Sequence, residues 1–201
     1  MAPSSDRHDW RARAAQLNAL FARAVPIGVL QLPTGRIIVG EPLFPDAVPL
    51  DRAAPTGAFP VELVLIEVEP GEQRIATARI AFSAAPVARW EVATGASTAT
   101  RTAANGQPGY PGPTGLFMDA HTATAFCKYV DECDRVEWWN DVPRQSGHVW
   151  DHACFQPDEE TPYNCAFMSP LDSDDAFVSY WGLDERGVPA VLVTDFNVAP
   201  I

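Results

Sequence analysis

The chain has 201 residues, 47% of them hydrophobic and 20% charged, which allows a sizeable core and excludes wholesale disorder. Lys and Arg number 14 against 26 Asp and Glu, and the resulting net charge of −12 repels phosphate backbones and excludes general nucleic-acid binding. The 19 Pro and 13 Gly disfavour a helical bundle and favour short strands joined by turns.

In chain order, the N-terminus has no basic stretch leading into an apolar one, so no secretory signal is expected. A helix is predicted next, capped by Ser5 or Asp9. Trp10, Ala14, Leu17, Phe21 and Ala24 recur at helical spacing, Arg11, Arg13 and Arg23 fall off that stripe, and Pro26 ends it. Strand patterns follow. Segments 27–32 and 36–39 flank Pro33-Thr34-Gly35 and predict a hairpin. Segment 59–68 is a strong β run broken by Pro70-Gly71, and 74–83 alternates with Ala76, Ala78, Ile80 and Phe82 on one face. Segment 87–93 completes what reads as an antiparallel meander. No apolar run is long enough to span a bilayer, since 61–68 is short and carries Glu62 and Glu67.

Residues 95–113 are filled with Gly, Ala, Ser, Thr, Asn, Gln and Pro and read as a flexible linker or loop. Beyond it come a strand at 116–119, a helix at 123–133, an irregular tryptophan-bearing stretch at 138–163, and two strands at 176–181 and 188–198 about a turn at 183–187. The expected architecture is mainly β (α+β): antiparallel sheets in two related lobes, sandwich- or barrel-like, with an N-terminal helix and one or two helices in the second half. The boundaries are 1–26 for the helix, 27–94 for the first lobe, 95–113 for the linker and 114–201 for the second lobe. The order Pro33-Thr34-Gly35-Arg36-Ile37 is echoed by Pro113-Thr114-Gly115-Leu116-Phe117, with Glu41 and Asp119 following, a degenerate internal repeat.

Several of these stretches together carry a resemblance. Thr34-Gly35-Arg36-Ile37, Glu41-Pro42-Leu43, Gly57-Ala58-Phe59-Pro60-Val61, Gln73-Arg74-Ile75-Ala76 with Ala78-Arg79-Ile80, and Arg89-Trp90-Glu91 lie in the first half. Gly115-Leu116-Phe117-Met118-Asp119-Ala120, Ser179-Tyr180-Trp181-Gly182 and Val193-Thr194-Asp195-Phe196 lie in the second. In this order they resemble the uncharacterised bacterial domain-of-unknown-function 4241 family. The resemblance implies no activity. The chain departs from the family's pattern at Glu41-Pro42, where an Asp-Pro step is usual, and at Asp172-Ser173-Asp174-Asp175, where a Gly-Asp-Gly segment is usual.

No phosphate loop, dinucleotide fingerprint or nucleophile elbow occurs. Cys127, Cys133, Cys154 and Cys165 read as reduced thiols of a cytoplasmic protein. No cofactor is expected. The alternative is zinc on His148, His152, Cys154 and Cys165, whose four N and S donors have the right stoichiometry without a Cys-x-x-Cys knuckle. Among the carboxylates Asp119, Asp172, Asp174, Asp175 and Asp195, Asp119 closes an apolar strand and is followed by His121, a candidate acid–base pair set against a turn cap or an ion pair with Arg74 or Arg79. Trp138, Trp139 and Trp150 lie among acidic residues and could anchor a partner. The favoured reading is a non-enzymatic binding protein, such as an immunity-type inhibitor or pathway accessory, for a basic protein or peptide, with no nucleic acid and no membrane. The alternative is a metal-dependent or hydrolytic enzyme using Asp119, His121 and the late His and Cys residues.

Overall fold

The computed structural model describes residues 9–41, 48–95, 101–102, 108–111, 114–132, 151–159, 163–169 and 176–198. Helix α1 (Trp10–Leu20) starts where Asp9 Oδ1 accepts from the N–H groups of Arg11 and Ala12, and a 3-10 turn at Phe21–Arg23 ends it. Strands β1 (Val25–Leu32), β2 (Ile37–Gly40), β3 (Gly57–Glu69), β4 (Glu72–Ala81), β5 (Arg89–Val92), β6 (Arg101–Thr102), β7 (Pro108–Pro111) and β8 (Gly115–Asp119) follow. Then come α2 (Ala123–Glu132), β9 (Asp151–Phe155), β10 (Cys165–Ser169), β11 (Ala176–Leu183) and β12 (Pro189–Asp195).

Among the described residues the fold is mainly β, with two antiparallel sheets that do not close into a barrel, an N-terminal helix and one further helix. Among the described residues the first sheet runs β1-β3-β4-β12-β11. The far edge of β11 is taken by β5 along Tyr180–Leu183 and by β7 at Ala176 and Phe177, with β6 beyond β7. The second sheet runs β2-β8-β10-β9. Both sheets draw strands from both halves of the chain.

Side chains alternate across a strand, so each sheet has two faces to cover. Leu30, Leu63, Ile80, Trp181 and Leu192 of the first sheet meet Ile37, Val39, Phe117 and Met168 of the second. The outer face of the first sheet receives Ala14, Leu17 and Phe21 on Val64, Tyr180 and Val193. The outer face of the second receives Phe126 and Val130 of α2 on Ile38, Met118 and Cys165. The layers are therefore helix, sheet, sheet, helix. An 11-residue helix is marginal alone, and α1 is held by burying side chains such as Leu17 at about 1.5–3 kcal/mol each.

Four expectations are corrected. First, β1 and β2 do not form a hairpin: β1 pairs with β3, and β2 crosses to the other sheet and pairs with β8. The Pro33-Thr34-Gly35 turn is a corner between layers. Gly35 has φ +69°, and a Cβ there would lie 2.2 Å from the Ala54 carbonyl oxygen, so only glycine fits. Second, the first half is not a simple meander, because β5 leaves β4 and joins β11. Third, Ala76 does not share a face with Ala78 and Ile80. The register slips between Val64↔Thr77 and Leu65↔Ile75, which leaves Ala76 as an extra residue on β4 and turns it towards α1. Fourth, Arg13 is not off the buried stripe. Position 13 lies three residues from Trp10 and four from Leu17, on the same helix face, and its guanidinium reaches Asp195.

Segment 95–113 carries β6 and β7, and β7 is hydrogen-bonded to β11. Backbone pairing needs no apolar side chains, and Gly109 lets this strand approach so closely that a Cβ there would lie 2.5 Å from the Phe177 carbonyl oxygen.

Candidate functional site

Asp119 ends β8 with no exposure to solvent. Its Oδ2 accepts from the main-chain N–H groups of Thr34 and Gly35, both at 3.0 Å. Its Oδ1 accepts from Thr34 Oγ1 at 2.7 Å and from the His121 N–H at 2.8 Å. Neither Arg74 nor Arg79 is its partner: Arg74 pairs with Glu72 and Arg79 with Glu62. The donor from His121 is its main chain. The exposed imidazole lies edge-on to Tyr163, with ring centroids 5.2 Å apart. The carboxylate therefore pins the corner between the two sheets, and four donors occupy both of its oxygens.

The same device recurs at the other end of the β2–β8 pair. Glu41, 5% exposed, follows β2 and accepts from the N–H and Oγ1 of Thr114, which precedes β8. The Thr-Gly corner before each strand is thus held by the acid that follows the other strand. Arg13 and Asp195 form a third buried contact. Arg13 Nε donates to Oδ2 at 2.7 Å and Nη2 to Oδ1 at 3.0 Å, and Asp195 is fully buried. The hydrogen bond to Asp195 raises the Arg13 pKa further above its ordinary value.

Cys154 and Cys165 do not converge. Cys154 sits opposite Ala166 and faces the core between the sheets, whereas Cys165 sits opposite Met118 and faces α2. Burial pushes the Cys154 thiol up to about 11 and the Cys165 thiol well above its ordinary value, and Cys165 Sγ donates to the Phe155 carbonyl at 3.6 Å. His152 lies buried on β9, opposite Met168. No group of three or more His, Cys, Asp or Glu suited to a metal ion occurs among the described residues. His148, Trp138, Trp139, Trp150, Cys133, Asp172, Asp174 and Asp175 lie outside the described residues. No helix among the described residues is long and apolar enough to cross a membrane.

Two concavities that the sequence did not point to lie along the first sheet. An open groove of ≈630 Å³ runs over β3, β4 and the loop after β4, with Phe59, Pro60, Phe82 and Pro86 along it and the Glu62–Arg79 pair at its base. Phe59 and Phe82 meet edge-to-face at 5.2 Å, and Arg79 also donates to Asn18 Oδ1 and covers the Phe21 ring. A smaller cleft of ≈360 Å³ is lined by Asp51, Arg52, Glu91, Val92, Thr94 and Trp181. It forms where residues 50–52 dock on the end of β5: Leu50 bridges Gly95 and the Asp51 N–H donates to the Thr94 carbonyl. Glu91 lies directly across from Trp181 in the β5–β11 register. The available sequence signal for this cleft was that Arg89-Trp90-Glu91 and Ser179-Tyr180-Trp181-Gly182 both fall in the motifs that carry the resemblance.

No curated protein and no solved structure matches the chain. A family model described as a protein of unknown function, DUF4241, matches residues 30–194. That span takes in Asp119, Glu41, both Thr-Gly corners and the lining of the smaller cleft, leaves out Arg13 and Asp195, and covers well over half of the sequence, so the chain belongs to the DUF4241 family.

Proposed function

We propose that this chain is a non-enzymatic binding protein that holds a basic segment of a protein or peptide partner, in the manner of an immunity-type inhibitor or a pathway accessory. The observation that carries the reading is the open ≈630 Å³ groove with two aromatic rings and two prolines along it, on a chain of net charge −12. Aromatic side chains supply large contact area at small entropic cost, and excess acid steers a basic partner toward them. The Asp119 carboxylate, the first sequence candidate for acid–base chemistry, is occupied by four structural donors, which also favours binding over catalysis. Trp138, Trp139 and Trp150 remain anchor candidates on the sequence argument.

Selection of a random-peptide display library against the purified chain tests this. Enriched sequences should be rich in Lys and Arg around an apolar anchor. Raising salt should slow their association more than it speeds dissociation. Phe59→Asp, checked for retained fold by circular dichroism, should weaken them by about 30-fold or more, the scale of a lost aromatic anchor. Enrichment of acidic peptides, or binding indifferent both to Phe59→Asp and to the triple Trp138/Trp139/Trp150→Ala change, would overturn the reading.

A further inference from the structure

We propose that the groove over β3 and β4 takes its partner by strand addition: an extended segment of a basic protein or peptide pairs, main chain to main chain, with Ala58 of β3. The inference rests on the reading that this groove binds a peptide, and adds the mode of binding. Along a strand, the main-chain groups of successive residues point to opposite neighbours. The Asn164 side chain shows which residues of β1 point where. It accepts from the Gln31 N–H at 2.9 Å and donates to the Val29 carbonyl at 2.6 Å, so the main-chain groups of Gln31 and Val29 point away from β3. Their register partners, Ala58 and Pro60, therefore make non-hydrogen-bonded pairs with β1, and their own main-chain groups point to the β4 side.

On that side no strand among the described residues receives Ala58. The β3–β4 register ends at Val61↔Ile80. Pro60 is the reason, because it has no N–H to offer the carbonyl of Ala81, the next residue of β4. Beyond Ala81 the chain turns to β12, where the Phe82 and Ser83 N–H groups both donate to the Ala190 carbonyl. The sheet is split there, and Ala58, Pro60, Ala81 and Phe82 line the groove in the split. The N–H and C=O of Ala58, an exposed residue, face into it with the spacing that an antiparallel hydrogen-bonded pair uses. Asn164 blocks the outer edge of β1, whereas this edge of β3 is left bare. Charge complementarity sets the sign of the segment. Glu62 gives Arg79 only Oε2, and Arg79 is engaged by Glu62, Asn18 and the Phe21 ring. Glu62 Oε1 is left to accept from a Lys or Arg of the segment, and the net charge of −12 draws such a segment in.

The probe is the most enriched peptide of the random-peptide display selection, titrated calorimetrically into the purified chain. Ala58→Pro removes a main-chain N–H that bonds to no strand, so the fold's own ladder is kept. It should weaken the peptide about tenfold or more, the scale of a lost hydrogen bond whose other partner is left unsatisfied. Ala58→Ser changes the side chain but keeps the N–H, and should bind within about twofold of the native chain, the range of a neutral surface change. Should Ala58→Pro fail to fold, the peptide is N-methylated at one residue at a time. One interior position should then cost about tenfold, and moving the methyl group to the next residue should restore most of the affinity, because successive amides point to opposite sides of a strand. Unchanged binding to Ala58→Pro, an equal loss in Ala58→Ser, or tolerance of N-methylation at every position would overturn strand addition and leave peptide binding standing. A selection that enriches nothing would overturn both.

Discussion

Replacing Asp119 separates a structural carboxylate from a catalytic one. In the native chain it takes four hydrogen bonds, and the Gly35 N–H among the donors is buried while Thr34 and His121 reach solvent. In Asp119→Ala, water can satisfy the Thr34 and His121 donors, and each then loses only the net worth of its bond, about 0.5–1.5 kcal/mol. The Gly35 N–H is stranded, at about 1–3 kcal/mol. The three such bonds and the stranded N–H total about 2.5–7.5 kcal/mol. At roughly 2–4 °C per kcal/mol for a chain of this size, Tm should fall by about 5–30 °C. Asp119→Asn keeps one acceptor but aims an NH₂ at two donors, so it should cost about 2–3 kcal/mol. Urea unfolding followed by tryptophan fluorescence measures both. A double-mutant cycle with Thr34→Val should show a coupling of about 1 kcal/mol. The reasoning fails if Asp119→Asn unfolds within about 0.5 kcal/mol of the native chain, the range of a neutral surface change. The carboxylate would then not be a cap, and its burial would need another purpose.

Three further outcomes are expected. Arg13→Met leaves Asp195 buried without its cation and should destabilise by about 3–5 kcal/mol, with Arg13→Met/Asp195→Asn recovering part of it; strict additivity of the two changes in urea unfolding would contradict the pairing. Cys154, with its pKa at about 11, should react slowly with iodoacetamide at pH 8, where roughly 0.1% is thiolate, and mass spectrometry that finds it alkylated at the rate of a free thiol would count against the burial. Because that pKa is raised from 9.0, the stability due to the neutral thiol is complete below pH 9 and is lost as pH rises toward 11. Asp184 accepts from the Val188 and Arg186 N–H groups in the β11–β12 turn, and the Val188 bond is the main cause that holds its pKa below the ordinary 3.8. Its contribution is present above pH 3.8 and is lost as pH falls through the lowered value, so a carboxyl ¹³C titration with a midpoint at or above 3.8 would refute this.

The elements legible in the sequence are those whose causes are local. Asp9 marks the start of the first helix and the Trp10-Ala14-Leu17 stripe its buried face, although the α-helix ends at Leu20 and Pro26 already lies in β1, and 70–71 and 183–187 mark hairpin turns because each turn joins strands that pair directly. Residues distant in sequence decided the rest. Pro33-Thr34-Gly35 has the same composition whether it closes a hairpin or turns a corner, and the corner is chosen by Asp119, which lies 85 residues from Thr34 and accepts from Thr34 and Gly35 with its two oxygens. Arg13 looks like a solvent-facing charge until Asp195, 182 residues on, is brought beneath the helix to receive it. A one-residue slip opposite Leu65 reverses the face of Ala76, and no period-2 pattern within β4 records where its partner slips. The cleft follows the same logic: Asp51, Glu91 and Trp181 are unremarkable apart, and they share one lining only once β5 pairs with β11 and residues 50–51 dock on the end of β5.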